Sequence, residues 1–263
     1  MRASVAAPRA RSAPTGGHTP PVPSAIPPGP PRTRVVLLPG SGSDEVFLGR
    51  VFTAALAAAG VRSVTVRPDP AAVVASGRRA LDEAAAEPGP LLVGGVSLGA
   101  AVAAGWALEH PGRVSGLLLA LPAWWGAPGA APAAVLATQT ANRLRAGGVD
   151  GALGEVDAGA PPWLAAELRR AWTRQGPHLA AALDEAAAHV APTVTELAGV
   201  DVPIGVAAAV DDPVHPLAVA EQLVARAPGA QLERLTLAEL GADPGSLGRA
   251  TVRAWLRSTR RRS

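Results

Sequence analysis

The sequence predicts an α/β domain: a mostly parallel sheet of about six strands, helices on both faces, and a helical insertion. Three observations carry this. Short β-rich apolar runs alternate with longer helical segments from Arg34 onward. The runs "VVLL", "LLVGG", "GLLLAL" and "IGVAAAV" are continuously apolar, as strands covered on both faces are. The alternation stops across residues 123–200 and then resumes, and strands alternating with helices give a parallel sheet because right-handed crossovers lay helices on its faces.

Taken in order, "RVVLLP" (34–39) reads as the first strand and 46–60 as a helix stopped by Gly60. A second strand is expected over 61–68 and an Ala-rich helix over 71–87. The third strand is 91–95, followed by a helix from Leu98 to Glu109 that ends before Pro111, and the fourth strand lies within 113–122. Between 123 and 200 the apolar spacings, such as Leu164, Leu168, Trp172 and Leu179, Leu183, predict helices near 132–146, 161–175 and 177–190 but no strand. Strands at 202–210 and 230–237 follow, with a helix from Pro216 to Arg226 between them and a last helix from about Pro244 to Arg257. The expected domain is therefore 33–257, with the insertion at about 123–200 and a basic tail at 258–263.

Charge and composition exclude several classes. The formal net charge is +3, yet four arginines precede residue 33, four follow residue 256, and all 21 acidic residues lie between Asp44 and Asp243. The remaining 16 arginines leave the folded part acidic, so no specific nucleic-acid surface is expected and the basic character belongs to the ends. Residues 1–32 hold nine prolines, no acid and no apolar block, the composition of a disordered Pro/Arg-rich tail without the apolar core of a secretory signal. No cysteine is present, which excludes disulfides, thiolate metal sites and a cysteine nucleophile, and makes a reducing cytoplasm the natural compartment. Two stretches of membrane-spanning length, Pro88–Leu108 and Val114–Asn142, carry no charge. Glycines break the first and prolines the second, so no membrane span is expected.

The chemistry-bearing motif is "GVSLG", Gly95 to Gly99, set between an expected strand and an expected helix. A serine on such a turn is held in a strained backbone that projects its hydroxyl. Side chains two positions before and after it would collide with the neighbouring strand and helix. In this setting the motif resembles the nucleophile elbow of the α/β-hydrolase superfamily, with Ser97 in the nucleophile position. That resemblance implies an oxyanion hole made by the backbone N–H of Leu98 and a second N–H from the loop "LPGSGSDEVF", here that of Ser41. The same loop could be read as a Rossmann phosphate loop through Gly40 and Gly42, but Glu45 stands where its third glycine belongs.

The resemblance also implies an acid after the next-to-last strand. The Asp-Pro-Val-x-Pro spacing in "VDDPVHP" favours Asp212 over Asp211. A histidine should follow the last strand, but "LTLAELGADPGSLGRATVRAWL" contains none. Of the five histidines, His215, three residues after Asp212, is the expected base, and His189 in the insertion is the second candidate. No histidine pair has metal-ligand spacing. The sequence thus points to a serine hydrolase acting on a small-molecule acyl substrate, with catalytic Ser97, Asp212 and His215 and no cofactor. The alternative is a degenerate member of the same architecture that binds an apolar ligand or partner.

Overall fold

A computed structural model describes residues 33–64 and 66–262; the expected tail at 1–32 lies outside the described residues. Six strands form one parallel sheet: β1 (Arg34–Leu38), β2 (Arg62–Val64), β3 (Leu91–Val96), β4 (Gly116–Ala120), β5 (Ile204–Ala209) and β6 (Ala230–Leu235). Their order is β2-β1-β3-β4-β5-β6. The chain leaves β1 toward one edge to make β2, then returns across β1 to make β3 and proceeds to the other edge. The winding direction therefore reverses between β1 and β3, where Leu38 is in register with Gly95. Loops diverge at such a switch point and leave a crevice at the carboxyl ends of the strands.

The continuous apolar runs are explained by their two covered faces. Val36, Leu38, Val93, Leu117, Leu119 and Val206 pack on one side, and the alternate residues Val35, Leu37, Leu92, Leu118 and Ala207 on the other. The first side is covered by α2 (Val73–Ala86), α3 (Leu98–Glu109) and α8 (Leu217–Arg226), and the second by α1 (Glu45–Ala58) and α10 (Gly245–Arg262). α3 is a helix of small residues, Ala100, Ala103 and Ala104 being fully buried, so it can lie close against the sheet.

The insertion is helical, as expected, and forms a cap. It contains α4 (Pro132–Gly159), α5 (Pro162–Gln175), α6 (Leu179–Ala188) and α7 (Val194–Ala198). Its own core gathers Leu144, Leu153, Trp172, Leu179 and Leu183. α4 continues well beyond the expected end near 146 because the chain re-enters a helix after a kink at Gly148, whose φ of 68° suits glycine. The cap is tied to α2 by Glu185, whose carboxylate accepts from the backbone N–H groups of Val73 (2.8 Å) and Val74 (3.1 Å). It thereby supplies the N-terminal cap that Ala72 cannot.

Three expectations need correction. β2 spans only Arg62–Val64 rather than 61–68, and Pro68 and Pro70, which have no N–H, could not extend its ladder. The expected strand to 237, followed by a helix only from about Pro244, is replaced by β6 ending at Leu235 and an additional helix, α9 (Leu237–Ala242), which starts on a capping box between Thr236 and Glu239. The basic residues 258–263 do not form a separate tail up to Arg262, since α10 continues through it. Ser258 is buried, donates to the Gly229 carbonyl and accepts from the Ile204 N–H, which fixes this last part of the helix to the sheet. Arginines at a helix C-terminus also suit its dipole.

Candidate active site

Ser97 sits between β3 and α3 with φ 54° and ψ −116°, a backbone conformation unfavourable for a residue bearing a Cβ. The surrounding glycines allow it. A Cβ at Gly95 would lie 2.2 Å from the Leu38 carbonyl oxygen, and one at Gly99 would lie 2.1 Å from the same atom. The elbow is held from below by the Ser97 N–H, which donates to the Ala120 carbonyl at 3.0 Å. β4 then stops at Ala120, and Leu121, with φ 48°, turns the chain aside.

That early stop leaves room above β4. The loop after β5 must reach across it to meet Ser97, about 10 Å at two strand spacings. It does so with His215, whose Nε2 lies 3.0 Å from the Ser97 Oγ. The His215 Nδ1 lies 2.8 Å from the Asp212 Oδ2. The other carboxylate oxygen, Oδ1, accepts from the backbone N–H groups of Val214 (2.8 Å) and His215 (3.1 Å), so the same aspartate shapes the loop and orients the ring.

The Asp212 side chain is 7% exposed and that of His215 18%. Burial alone would raise the Asp212 pKa, but the His215 hydrogen bond and charge, with the two backbone N–H groups, hold it below the ordinary aspartate value. An ionised Asp212 accepts from Nδ1–H, and that tautomer leaves the Nε2 lone pair facing the Ser97 hydroxyl.

Asp211 takes a different part. Its Oδ1 accepts from the Leu237 N–H at 2.8 Å, at the start of α9. The place where the superfamily's histidine would stand is thus occupied by a capped helix. His189 stays in the cap, where burial depresses its pKa and the nearby charges are those of Glu185 and Arg78. The Trp124 indole N–H donates to the His189 carbonyl at 3.1 Å. His110 stacks on Trp106 at the end of α3, with ring centroids 4.3 Å apart.

The loop after β1 approaches Ser97 closely: a Cβ at Gly40 would lie 3.5 Å from the Ser97 Cβ. A turn from the Ser43 N–H to the Gly40 carbonyl (3.0 Å) presents Ser41 beside it. Leu98 is the first residue of α3, where a backbone N–H has no partner within the helix. Ser41 and Leu98 both border a cavity of about 270 Å³ whose walls include Val66, Val73 and Val102. Ser97 itself borders a second, narrow apolar cleft with Ala101, Pro122, Trp124 and Trp125. Of the other tryptophans of the insertion, Trp172 belongs to the cap core and Trp163 packs over Gly241 of α9. Among the described residues no group of His, Asp and Glu could hold a metal ion.

Sequence reasoning missed the residues that fasten the Gly40–Ser43 loop. Asp44 caps α1, accepting from Val46 and Phe47, and pairs with Arg170 and Arg174 of the cap. The N-cap half was legible in "SDEVF", an aspartate ahead of an acidic first turn. The cap half was not, because it joins residues more than a hundred positions apart.

Residues 71–240 match the family model described as "Serine aminopeptidase, S33". The chain belongs to this family of the α/β-hydrolase superfamily. It is an α/β-fold hydrolase. Solved structures of the same fold include MenH from S. aureus, 14% identical with a TM-score of 0.64, covering 87% of this chain and 94% of that one. Rv0554 from Mycobacterium tuberculosis is 17% identical with a TM-score of 0.63, over 86% and 91% of the two chains. A thermophilic esterase from Thermogutta terrifontis is 20% identical with a TM-score of 0.58, over 86% and 89%. No curated protein matches the chain by sequence. No helix among the described residues is long and apolar enough to cross a membrane.

Proposed function

We propose that the protein is a serine esterase that cleaves a small acyl ester through an acyl-enzyme on Ser97, with His215 as base and Asp212 as the orienting acid. The observation that carries this reading is the unbroken relay from Asp212 through His215 to Ser97, with contacts of 2.8 and 3.0 Å. Both fall within the reach needed for proton transfer.

In this mechanism the Ser97 hydroxyl gives its proton to the His215 Nε2 as its oxygen bonds to the ester carbonyl carbon. The carbonyl oxygen takes the negative charge and is held by the backbone N–H groups of Ser41 and Leu98. His215, now positive and stabilised by Asp212, returns the proton to the departing alkoxide. Water then enters, loses a proton to the same nitrogen, and releases the acid from Ser97. The cavity bordered by Ser41 and Leu98 has apolar walls at Val66, Val73 and Val102 and charged ones at Arg67 and Arg174, so it suits a small acyl ester with a polar portion. The lack of cysteine is in keeping with a reducing cytoplasm.

The test is covalent labelling by a fluorophosphonate probe together with hydrolysis of short p-nitrophenyl esters. Labelling should map to Ser97 and vanish in Ser97→Ala. Folded protein that takes no label would return the fold to a binding role.

A further inference from the structure

The loop that would carry the Ser41 donor is short, and both of its anchors lie outside it. On one side it leaves β1 at Leu38. On the other it ends at Asp44, which is 4% exposed although ionisable. Four side chains of the cap gather around this end of the loop, two of them directly on Asp44. The Arg170 guanidinium donates to both Asp44 oxygens, at 2.6 and 2.7 Å, in a fork-to-fork pair. Arg174, one turn further along α5, donates to Oδ2 at 3.1 Å and also bonds Glu45. Glu167, one turn back, holds Arg170 in place and is itself paired with Arg50 of α1 at 2.8 Å. Gln175, at the end of α5, donates from Nε2 to the Ser43 carbonyl at 3.0 Å, a direct bond to the loop backbone. Trp172 of the same helix is buried behind the loop, and a Cβ at Gly42 would come within 3.2 Å of its indole nitrogen.

The spacing 167, 170, 174 puts these charges on one face of α5, and that face rests on the loop. The arrangement is more than a general tether of the cap. Exposed ion pairs elsewhere in the cap, such as Arg145 with Asp184, connect cap helices to each other and touch nothing near Ser97. We infer that α5 of the cap is the positioning element of the oxyanion hole: Arg170 and Gln175, acting through Asp44 and the Ser43 carbonyl, hold the Gly40–Ser43 loop where the Ser41 N–H meets the developing oxyanion. The inference rests on the esterase reading and assigns Arg170, Gln175 and Asp44 as positioning residues that act through the loop; Asp44 and Gln175 also border the cavity that Ser41 and Leu98 line.

An oxyanion donor acts only when it stands about 2.7–3.1 Å from the oxygen as charge develops. Loosening its loop therefore weakens the transition state more than the bound ester. Gln175→Met removes the bond to the loop with little change of volume. Asp44→Asn keeps an acceptor for the α1 N-terminus while discharging the pairs with Arg170 and Arg174. Arg170→Met removes the fork, and Arg170→Lys restores a charge without it.

The experiment measures kcat and KM for p-nitrophenyl butyrate and inhibition by phenylboronic acid, whose adduct with serine is tetrahedral, with melting temperature followed in parallel. Gln175→Met, Asp44→Asn and Arg170→Met should each lower kcat by about 10- to 100-fold with KM within about twofold. The boronic acid should bind more weakly by a similar factor. Arg170→Lys should recover part of the loss, and Asp184→Asn should behave as the parent. Folded variants that retain kcat within twofold, or that raise KM at constant kcat, would overturn the inference. Ser97→Ala, run alongside, separates the two ideas: if it stays active the esterase reading fails, whereas if it is dead and the α5 variants are not, only the positioning role falls.

Discussion

Replacing Asp212 by asparagine tests the relay with the smallest change in shape. The Asp212 Oδ1 accepts from two backbone N–H groups, at 2.8 and 3.1 Å, and the asparagine carbonyl oxygen must take that place. Turning the amide the other way would set its NH₂ against two donors and forfeit both bonds, each worth about 1 kcal/mol. The NH₂ is therefore directed at the His215 Nδ1, where Asp212 Oδ2 stood at 2.8 Å. It can only donate, so Nδ1 becomes an acceptor and the ring proton moves to Nε2. That nitrogen faces the Ser97 Oγ at 3.0 Å and can no longer take its proton. The loss expected from a wrong tautomer is about 10⁴-fold, close to 5.5 kcal/mol of barrier. The loop turn is preserved, so the fold should survive. Hydrolysis of p-nitrophenyl acetate should show kcat/KM for Asp212→Asn reduced by about that factor, with an unchanged circular dichroism spectrum. Asp211→Asn, which can still cap α9, should stay within about threefold of the parent, since most substitutions away from the reacting groups leave a site intact. A folded Asp212→Asn enzyme within tenfold of the parent, or a damaging Asp211→Asn, would refute the assignment.

Three other outcomes follow from the same geometry. His189→Ala should leave esterase activity within about threefold of the parent, because that ring lies beside Glu185 and Arg78 and not against Ser97; a collapse of turnover would transfer the base to it. Gly99→Ala should abolish soluble expression or cost several kcal/mol in a denaturant titration, since its Cβ would lie 2.1 Å from the Leu38 carbonyl oxygen. Asp44 and Asp212 both have depressed pKa values, in each case because ion pairs and hydrogen bonds outweigh the opposing effect of burial. Their contribution to stability is therefore present above the unfolded aspartate value of about 3.9 and lost as pH falls through the lower folded values. Melting temperatures should decline below about pH 4, and Asp44→Asn should flatten that decline.

The features legible in the sequence were those fixed by near neighbours. Gly95, Ser97 and Gly99 announce the elbow because the collisions they avoid are local to one strand–turn–helix unit. The two-faced apolar runs identify four of the strands for the same reason. Asp212 and His215 could be paired on paper because three residues separate them, but whether that ring or His189 meets Ser97 depends on a reach across the end of β4. No periodicity encodes that distance. The signal for α9 was present as Thr236 and Glu239, a capping-box spacing, and was overshadowed by the missing histidine. The helix expected near 132–146 ends short of Gly147 and Gly148, whereas packing of Ala152 and Leu153 in the cap carries α4 past them. The extent of α10 rests on Ser258 finding partners on β5 and beside β6, a tertiary fact.

Placing proton acceptor and orienting carboxylate on one stretch of chain, Asp212 to His215, changes how the machinery responds to motion. In a triad drawn from three separate loops, the acid–base gap and the base–nucleophile gap can vary independently. In the proposed relay Asp212 bonds both the backbone N–H and the ring of His215, so the segment after β5 carries the two groups together and a shift of it changes chiefly the distance to the Ser97 hydroxyl. Readiness for turnover reduces to one coordinate, and the whole acid–base pair can be grafted, or lost, by exchanging a single short segment.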